Sequence, residues 1–214
     1  MIWNQAVRRA MKRHVARAQG RLDPTRFAQE PAYVAALLAR LDGVVYEGKA
    51  GRVEFFSTIV ADRGPNSAES RFGADFAIAA HLSQPGSEVR KAVLGQAKKG
   101  ALDQLRTEER QRFQLQVHRM AAVTSAIVGL EVPRATGDQL IVRVVDVVSV
   151  PTDTAEVNLG LMRIGPPRDL ADYLTRGIMR CSHGDARDDF VGAVSSSDLS
   201  RLQIVATSLR SATG

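Results

Sequence analysis

The chain has 214 residues, of which 44% are hydrophobic and 24% are charged, and its formal net charge is +6. These proportions are typical of a globular protein, and the single cysteine, Cys181, excludes an intramolecular disulfide and a cysteine-rich zinc module. No apolar run reaches the roughly 18 residues of a membrane span, and the basic N-terminus lacks a signal-peptide core. We therefore expect one cytoplasmic domain over residues 1–214 without a membrane partner: N-terminal helices (1–43), a core (44–150) and an extension packed on it (151–214).

The basic residues are mostly arginines, because only five of the 29 are lysines. Arginine favours bidentate contacts with phosphate. Many arginine-rich proteins bind no nucleic acid, so the distribution of the charge matters more than its sum.

The first predicted element is an amphipathic helix over residues 2–19. Apolar residues recur every three or four positions, and Gly20 ends the pattern. The opposite face carries five cations: Arg8, Arg9, Lys12, Arg13 and Arg17. This face has two interpretations, a surface for the DNA backbone or an ordinary solvated face. The apolar stripe of the same helix is also suited to packing against another subunit.

The next elements are a second helix from Glu30 to Leu41 and two strands, residues 44–46 and 52–62. A polar loop, residues 63–67, then leads to Glu69. Residues 76–82 and 89–97 are predicted to form a β-hairpin around the polar turn 83–87.

This hairpin places three chemically useful side chains at one end. Asp75 precedes its first strand, and Gln96 and Lys98 end its second strand, two residues apart and so on one face. A carboxylate, an amide oxygen and an ammonium group can therefore converge there. Oxygen ligands suit a hard divalent cation, and the ammonium group can hold a water molecule.

The rest of the chain is predicted to contain a long helix (102–123), strands at 125–132 and 140–150, a short helix (170–179) and a last helix capped at 195–198 that runs to residue 209. Asp146 lies in a run of Val and Ile, where it indicates a partner such as Arg143 or a bulge in the strand, since an unpaired buried Asp is costly. The Cys181–Asp185 segment is interpreted as a turn, since its spacing fits no standard zinc site. This order of elements predicts an α+β fold with a central mixed sheet flanked by helices.

The sequence G-A-D at residues 73–75, followed one hairpin later by Q-A-K at 96–98, resembles the PD-(D/E)xK superfamily of restriction-endonuclease-like nucleases. It resembles in particular the Mrr-like branch, in which Gln replaces the Glu of the motif. The resemblance implies an αβββαβ-type core and a site that binds Mg²⁺ or Mn²⁺. It assigns metal binding to the Asp75 carboxylate, the Gln96 side-chain oxygen and the Ala97 carbonyl, and orientation of the attacking water to Lys98.

Three further residues enter through the resemblance. Glu69 matches an acidic residue that many members supply upstream of the sheet, as a metal ligand and catalytic residue; the alternative is an exposed acid in a loop. Gln114 matches a glutamine that faces the site from the following helix, and the alternative is a solvated polar residue. Lys99 is expected as a further nucleic-acid contact.

The function implied is a metal-dependent endodeoxyribonuclease, in a superfamily whose members serve in restriction, repair or anti-phage defence and are commonly homo-oligomers. An activating ligand or partner protein is compatible with this class. Two alternatives stay open: a non-catalytic module that binds nucleic acid or nucleotides, or serves as an assembly subunit, and an unrelated α+β domain in which the motif is coincidental.

Overall fold

A computed structural model of the protein describes residues 5–49, 51–60, 72–148 and 161–208. Within these ranges the fold is α+β, with a nine-stranded mixed sheet and helices on both of its faces, so the predicted fold class is confirmed. The helices are α1 (Gln5–Gln19), α2 (Glu30–Leu41), α3 (Thr107–Ala121), α4 (Leu170–Asp172, continued by a π-helix over Tyr173–Ile178) and α5 (Asp188–Ser195). The strands are β1 (Gly43–Gly48), β2 (Gly51–Thr58), β3 (Phe76–Gln84), β4 (Ser87–Lys99), β5 (Ile127–Val132), β6 (Ile141–Val148), β7 (Leu161–Ile164), β8 (Arg168–Asp169) and β9 (Ser200–Ser208).

The strand order is β1-β2-β9-β3-β4-β5-β6-β7, and β8 pairs with β6. β3 and β4 form the predicted antiparallel hairpin, while β4 runs parallel to β5 and α3 makes the crossover between them. β4 is buried on both faces from Lys91 to Ala97, as expected for a central strand.

Each face of the sheet has its own apolar core. Helices α1, α2 and α4 cover one face, where their side chains pack on residues such as Ile78, Val93 and Val128. Helices α3 and α5 cover the other face, over Ala77, Leu94 and Val145. None of the described helices is long and apolar enough to cross a membrane.

The prediction of a last helix ending at residue 209 is wrong, because residues 200–208 form β9. Leu202, Ile204 and Ala206 alternate with more exposed residues and face the α1–α2 core, which is strand periodicity. β9 lies between β2 and β3, antiparallel to the first and parallel to the second. The serine-rich segment that was expected to begin this helix instead follows the end of α5, a helix that was not predicted.

Asp146 also differs from its predicted environment. It is exposed on β6, so it needs no buried partner. Arg143, the partner expected for it, pairs instead with Glu131 on β5, at 2.5 Å between Nε and Oε1.

Candidate active site at the open end of the β3–β4 hairpin

The open end of the hairpin brings Asp75 against Gln96. The register pairs Phe76 with Gly95, so Asp75 lies opposite Gln96 just beyond the first paired residue of β3. Asp75 Oδ2 accepts hydrogen bonds from Gln96 Nε2 at 2.5 Å and from the Ala97 N–H at 2.9 Å. The structure therefore places Asp75, Gln96 and Ala97 together.

Two glycines allow this approach. The Phe76 ring lies over Gly95, where an added Cβ would come within 2.2 Å of the ring. Gly73 has a φ of +71°, and an added Cβ would lie 2.8 Å from Arg119 Cβ and 2.9 Å from the Gln116 carbonyl oxygen of α3. Gly73 thus lets the chain turn under α3 and enter the hairpin at Asp75.

Gln96 is 1% exposed, and its two amide atoms have different environments. Nε2 donates to Asp75, whereas Oε1 is buried without a hydrogen-bond partner in the described part of the chain. A buried acceptor left unpaired costs about 1–3 kcal/mol. Coordination of a hard cation would remove this cost, so the amide oxygen and the neighbouring carboxylate fit such an ion.

The described residues contribute few strong metal ligands around this point. Over residues 5–49, 51–60, 72–148 and 161–208, no three His, Cys, Asp or Glu side chains form a group that could hold a metal ion. Oxygen donors at the hairpin end are the Asp75 carboxylate, the Gln96 amide and the Ala97 carbonyl, which points to the same side of β4 as the Ala97 N–H. Glu69, the predicted second acid, lies outside the described residues.

Lys98 is the cation of the site. It is half-buried and, by strand alternation, shares a face with Gln96. Its ammonium group makes no hydrogen bond or ion pair with any described residue. Lys98 is paired in register with Glu131 on β5, but the Glu131 carboxylate accepts instead from Arg143 Nε at 2.5 Å and from the Leu102 N–H at 2.9 Å. Because Arg143 pairs with Glu131, Lys98 has no counter-ion in the part of the chain that the structure describes.

The other predicted contacts are more dispersed. Lys99 points to the opposite face, where its Nζ donates to the Phe27 carbonyl at 3.1 Å and its N–H donates to Glu30 Oε1 at 3.2 Å. Gln114 is half-buried on α3 and makes no described contact with the site. Gln116, two residues later, has a buried Oε1 without a described partner, on the helical turn that abuts Gly73.

Sequence reasoning missed Gln116 and Glu131. Gln116 lies three residues after the buried Phe113 and four before the buried Met120, so helical periodicity would have placed it beside the inner stripe. Glu131 ends the apolar run of β5, and only the parallel register places it beside Lys98.

Four of the five cations predicted on the basic face of α1 are exposed. Arg9, Lys12, Arg13 and Arg17 are exposed and have no ion-pair partner among the described residues. Arg8 differs, because it pairs with Asp172 of α4 at 3.2 Å and so joins α1 to the fold.

A second polar cluster lies at the other end of the sheet. Lys91 is 3% exposed, and its Nζ donates to the carbonyl oxygens of His183 at 2.6 Å and Gly177 at 3.4 Å. Burial lowers the pKa of Lys91, and burial together with the Lys91 charge lowers the pKa of His183 to about 4. His183 Nδ1 lies 2.8 Å from the Tyr173 hydroxyl. These contacts tie the π-helical segment and the following turn to β4, a structural role.

A cleft of about 500 Å³ opens between α5 and the β3–β9 part of the sheet. His81 lines it, and His81 Nε2 lies 2.8 Å from Glu88 Oε1, near the turn of the hairpin. The cleft is therefore toward the opposite end of β3 from Asp75, and its lining does not include the motif residues.

Comparisons with protein-family models, with curated proteins and with solved structures return no match for this chain.

Proposed function

We propose that this protein is a metal-dependent nuclease that hydrolyses phosphodiester bonds in DNA at the open end of the β3–β4 hairpin. One observation carries the proposal. A carboxylate and a buried amide oxygen lie together there, and an ammonium group follows on the same face of β4; neither the amide oxygen nor the ammonium group has a partner among the described residues.

Asp75 is held in place before any substrate binds. Two donors, one backbone and one side chain, converge on Oδ2 and restrict the rotation of the carboxylate. A pre-positioned group does not have to reorganise during the reaction, which lowers the activation barrier.

In the absence of a bound metal ion, Gln is more favourable than Glu at position 96. Its amide donates to Asp75 and still presents an oxygen, whereas a second carboxylate at 2.5 Å would repel the first. A bound Mg²⁺ or Mn²⁺, held by Asp75, the Gln96 oxygen and the Ala97 carbonyl, would polarise the phosphate and lower the pKa of a water molecule. In this proposal Glu69 supplies the second acid.

Lys98 supplies positive charge where the phosphate becomes more negative. An ammonium group can donate three hydrogen bonds, to the attacking water and to a phosphate oxygen. Because no described residue neutralises it, its full charge is available to the transition state.

DNA as the substrate, an oligomeric assembly and a role in restriction or anti-phage defence rest on the resemblance to the PD-(D/E)xK superfamily. The decisive test is incubation of supercoiled plasmid with the protein in Mg²⁺, in Mn²⁺ and in EDTA. We expect nicking or linearisation in either metal and none in EDTA. An intact plasmid under all three conditions, at protein concentrations that bind it, would contradict the proposal.

A second candidate is a nucleic-acid-binding module on the same fold without catalysis. It is favoured by the shortage of acidic ligands, since the described residues bring only one carboxylate to the hairpin end. This candidate predicts salt-sensitive retardation of DNA without cleavage in any metal.

A further inference from the structure

The exposed face of α1 carries a row of cations that no contact with a described residue explains. α1 contains no Asp or Glu, and its first turn, where the helix dipole favours acids, carries Arg8 instead. Arg9, Lys12, Arg13 and Arg17 are exposed without a described ion-pair partner, and Arg21, just beyond the helix end, is also exposed and unpaired within the described chain. These charges repel one another, so they oppose the stability of the helix that carries them.

The spacing of these cations along α1 suits contact with a row of phosphates. Arg9, Arg13 and Arg17 are four residues apart and so lie on one side of the helix. From Arg9 to Arg17 the helix rises about 12 Å at 1.5 Å per residue. This length corresponds to roughly three or four phosphates of one DNA strand, spaced 3.4 Å along the duplex axis.

Contacts connect the end of this row to the candidate active site. After α1, Asp23 Oδ1 accepts from Thr136 Oγ1 at 3.2 Å, which joins the chain to the loop between β5 and β6. That loop also carries Arg134, whose guanidinium donates to the Lys99 carbonyl at 3.4 Å. Lys99 Nζ in turn donates to the Phe27 carbonyl, a few residues beyond Asp23. The C-terminal end of α1 is therefore tied to the strand end that carries Lys98 and Lys99.

The acid that makes this connection is already compensated. Asp23 accepts from the backbone and side chain of Thr25 and pairs with Arg26 at 3.5 Å. These hydrogen bonds lower its pKa. Glu30, near Lys99, is engaged by the Lys99 N–H.

We infer that duplex DNA lies along a cation track formed by Arg9, Lys12, Arg13, Arg17, Arg21, Arg134 and Lys99, on the face of the sheet that α1 covers. The DNA backbone passes over the end of β4 at Lys99, because Lys98 lies on the opposite face of the sheet. The inference rests on the proposed function for the reaction at the end of the track, but the binding is independent of cleavage. Arg8 is not part of the track, because Asp172 neutralises it.

The test measures binding in EDTA, where the proposed reaction is switched off. Fluorescence anisotropy of a labelled 20-base-pair duplex, titrated from 50 to 300 mM salt, compares wild type with Arg13→Glu/Arg17→Glu. The control, Arg112→Glu/Arg163→Glu, changes the net charge equally at exposed positions on α3 and β7. Thermal unfolding of each variant verifies folding.

We expect the track variant to lose at least tenfold in affinity and to flatten the slope of log affinity against log salt by about one unit per lost contact. Arg134→Glu alone should flatten it by about one unit. Equal effects of the track and control variants on duplex binding would overturn the inference. The same titration with labelled RNA and with vesicles of anionic lipid tests the other polyanions, and a loss of affinity by the track variant for one of these but not for duplex DNA would also overturn it. Binding through the track without cleavage would overturn the nuclease proposal alone, and cleavage with an unchanged salt slope would overturn the track alone.

Discussion

The hydrogen bonding of the Gln96 amide determines which ligand the candidate site can accept. The amide nitrogen of Gln96 donates a hydrogen bond to Asp75, and the amide oxygen is buried without a partner among the described residues. A glutamate there would lose the donor and place two carboxylates in contact, which disfavours ionisation of both. A cation bound between the two carboxylates, or a proton taken up by one of them, would relieve this repulsion.

Replacing Gln96 by Glu should therefore make the stability of the protein depend on metal. We expect Gln96→Glu to lose about 2 kcal/mol of unfolding free energy in EDTA, from the lost hydrogen bond and the repulsion, and to regain most of it in millimolar Mg²⁺ or Mn²⁺. Urea unfolding with and without metal measures this. The control is Gln84→Glu at the exposed end of β3, which should respond to neither. A loss that metal does not reverse would show that no cation binds between residues 75 and 96.

His183 determines part of the acid sensitivity of the fold. Burial, the charge of Lys91 and, more weakly, Arg168 lower its pKa to about 4, against the opposing effect of Asp146. Between pH 6.5 and 4 the unfolded chain takes up a proton that the folded protein does not, so stability falls as the pH falls through this window. The contribution is present above pH 6.5 and lost below about 4.

Removing this titration should flatten the acid side of the stability curve. His183→Gln keeps a polar group beside Tyr173 and cannot be protonated. From pH 7 to pH 4.5 we expect wild type to lose about 2 kcal/mol more unfolding free energy than the variant, since each tenfold difference in proton affinity between the unfolded and folded states corresponds to about 1.4 kcal/mol. Urea denaturation at the two pH values gives the comparison. Equal losses would mean that His183 titrates normally in the folded state.

At the scale of elements, the site depends on how α3 meets the segment before β3. Gly73 adopts a positive φ and lies against the backbone of α3, so two separate costs oppose a side chain there. Gly86, in the hairpin turn, has a similar φ of +79° but open space around it.

The two glycines allow the costs to be separated. Gly86→Ala should lose about 1 kcal/mol, the cost of the left-handed conformation alone. Gly73→Ala should lose at least about 1 kcal/mol more, because α3 must move to admit the methyl group. Urea unfolding of both variants measures the difference. Equal losses would show that α3 does not press on Gly73.

The elements that could be predicted are those with a clear local period. The apolar stripes of α1 and α2 predict these helices to within a few residues, and the alternation of apolar residues does the same for β3 and β4. The proximity of Asp75 and Gln96 then follows from the hairpin alone. α5 was missed, although two acids in its first turn and the spacing of Phe190 and Val194 are helix signals. Its eight residues are too few for a strong pattern.

Across the sheet, β9 connects a segment late in the chain to two strands from its first half. It pairs over eight residues with β2 on one side and with β3 on the other. No local sequence pattern indicates which strands β9 pairs with. The run of serines before β9 resembles a helix N-cap, which led to the prediction of a helix there. The neighbourhood of Lys98 and Glu131 was unpredictable for the same reason, because it requires the register of two parallel strands.

Removal of β9 should abolish the fold. A chain that ends at residue 198 leaves facing edges of β2 and β3 unpaired and removes Leu202, Ile204 and Ala206 from the core. We expect it to show no cooperative urea transition by circular dichroism, whereas the full 214-residue chain should unfold cooperatively. A cooperative transition in the shorter chain would mean that β1 and β2 form a unit separate from the remaining sheet.

If Asp75, Gln96 and Lys98 form a phosphodiesterase site, removal of the Lys98 ammonium group should slow cleavage without unfolding the protein, since no described contact makes Lys98 important for folding. Single-turnover cleavage of a labelled duplex at saturating protein and Mg²⁺ should be slower by about 100-fold or more in Lys98→Ala, the usual cost of removing one group that stabilises transition-state charge. Lys49→Ala, an exposed lysine just after β1, should cleave at the wild-type rate. Undiminished cleavage by a Lys98→Ala protein with wild-type thermal unfolding would show that the Asp75–Lys98 cluster is not the site of hydrolysis.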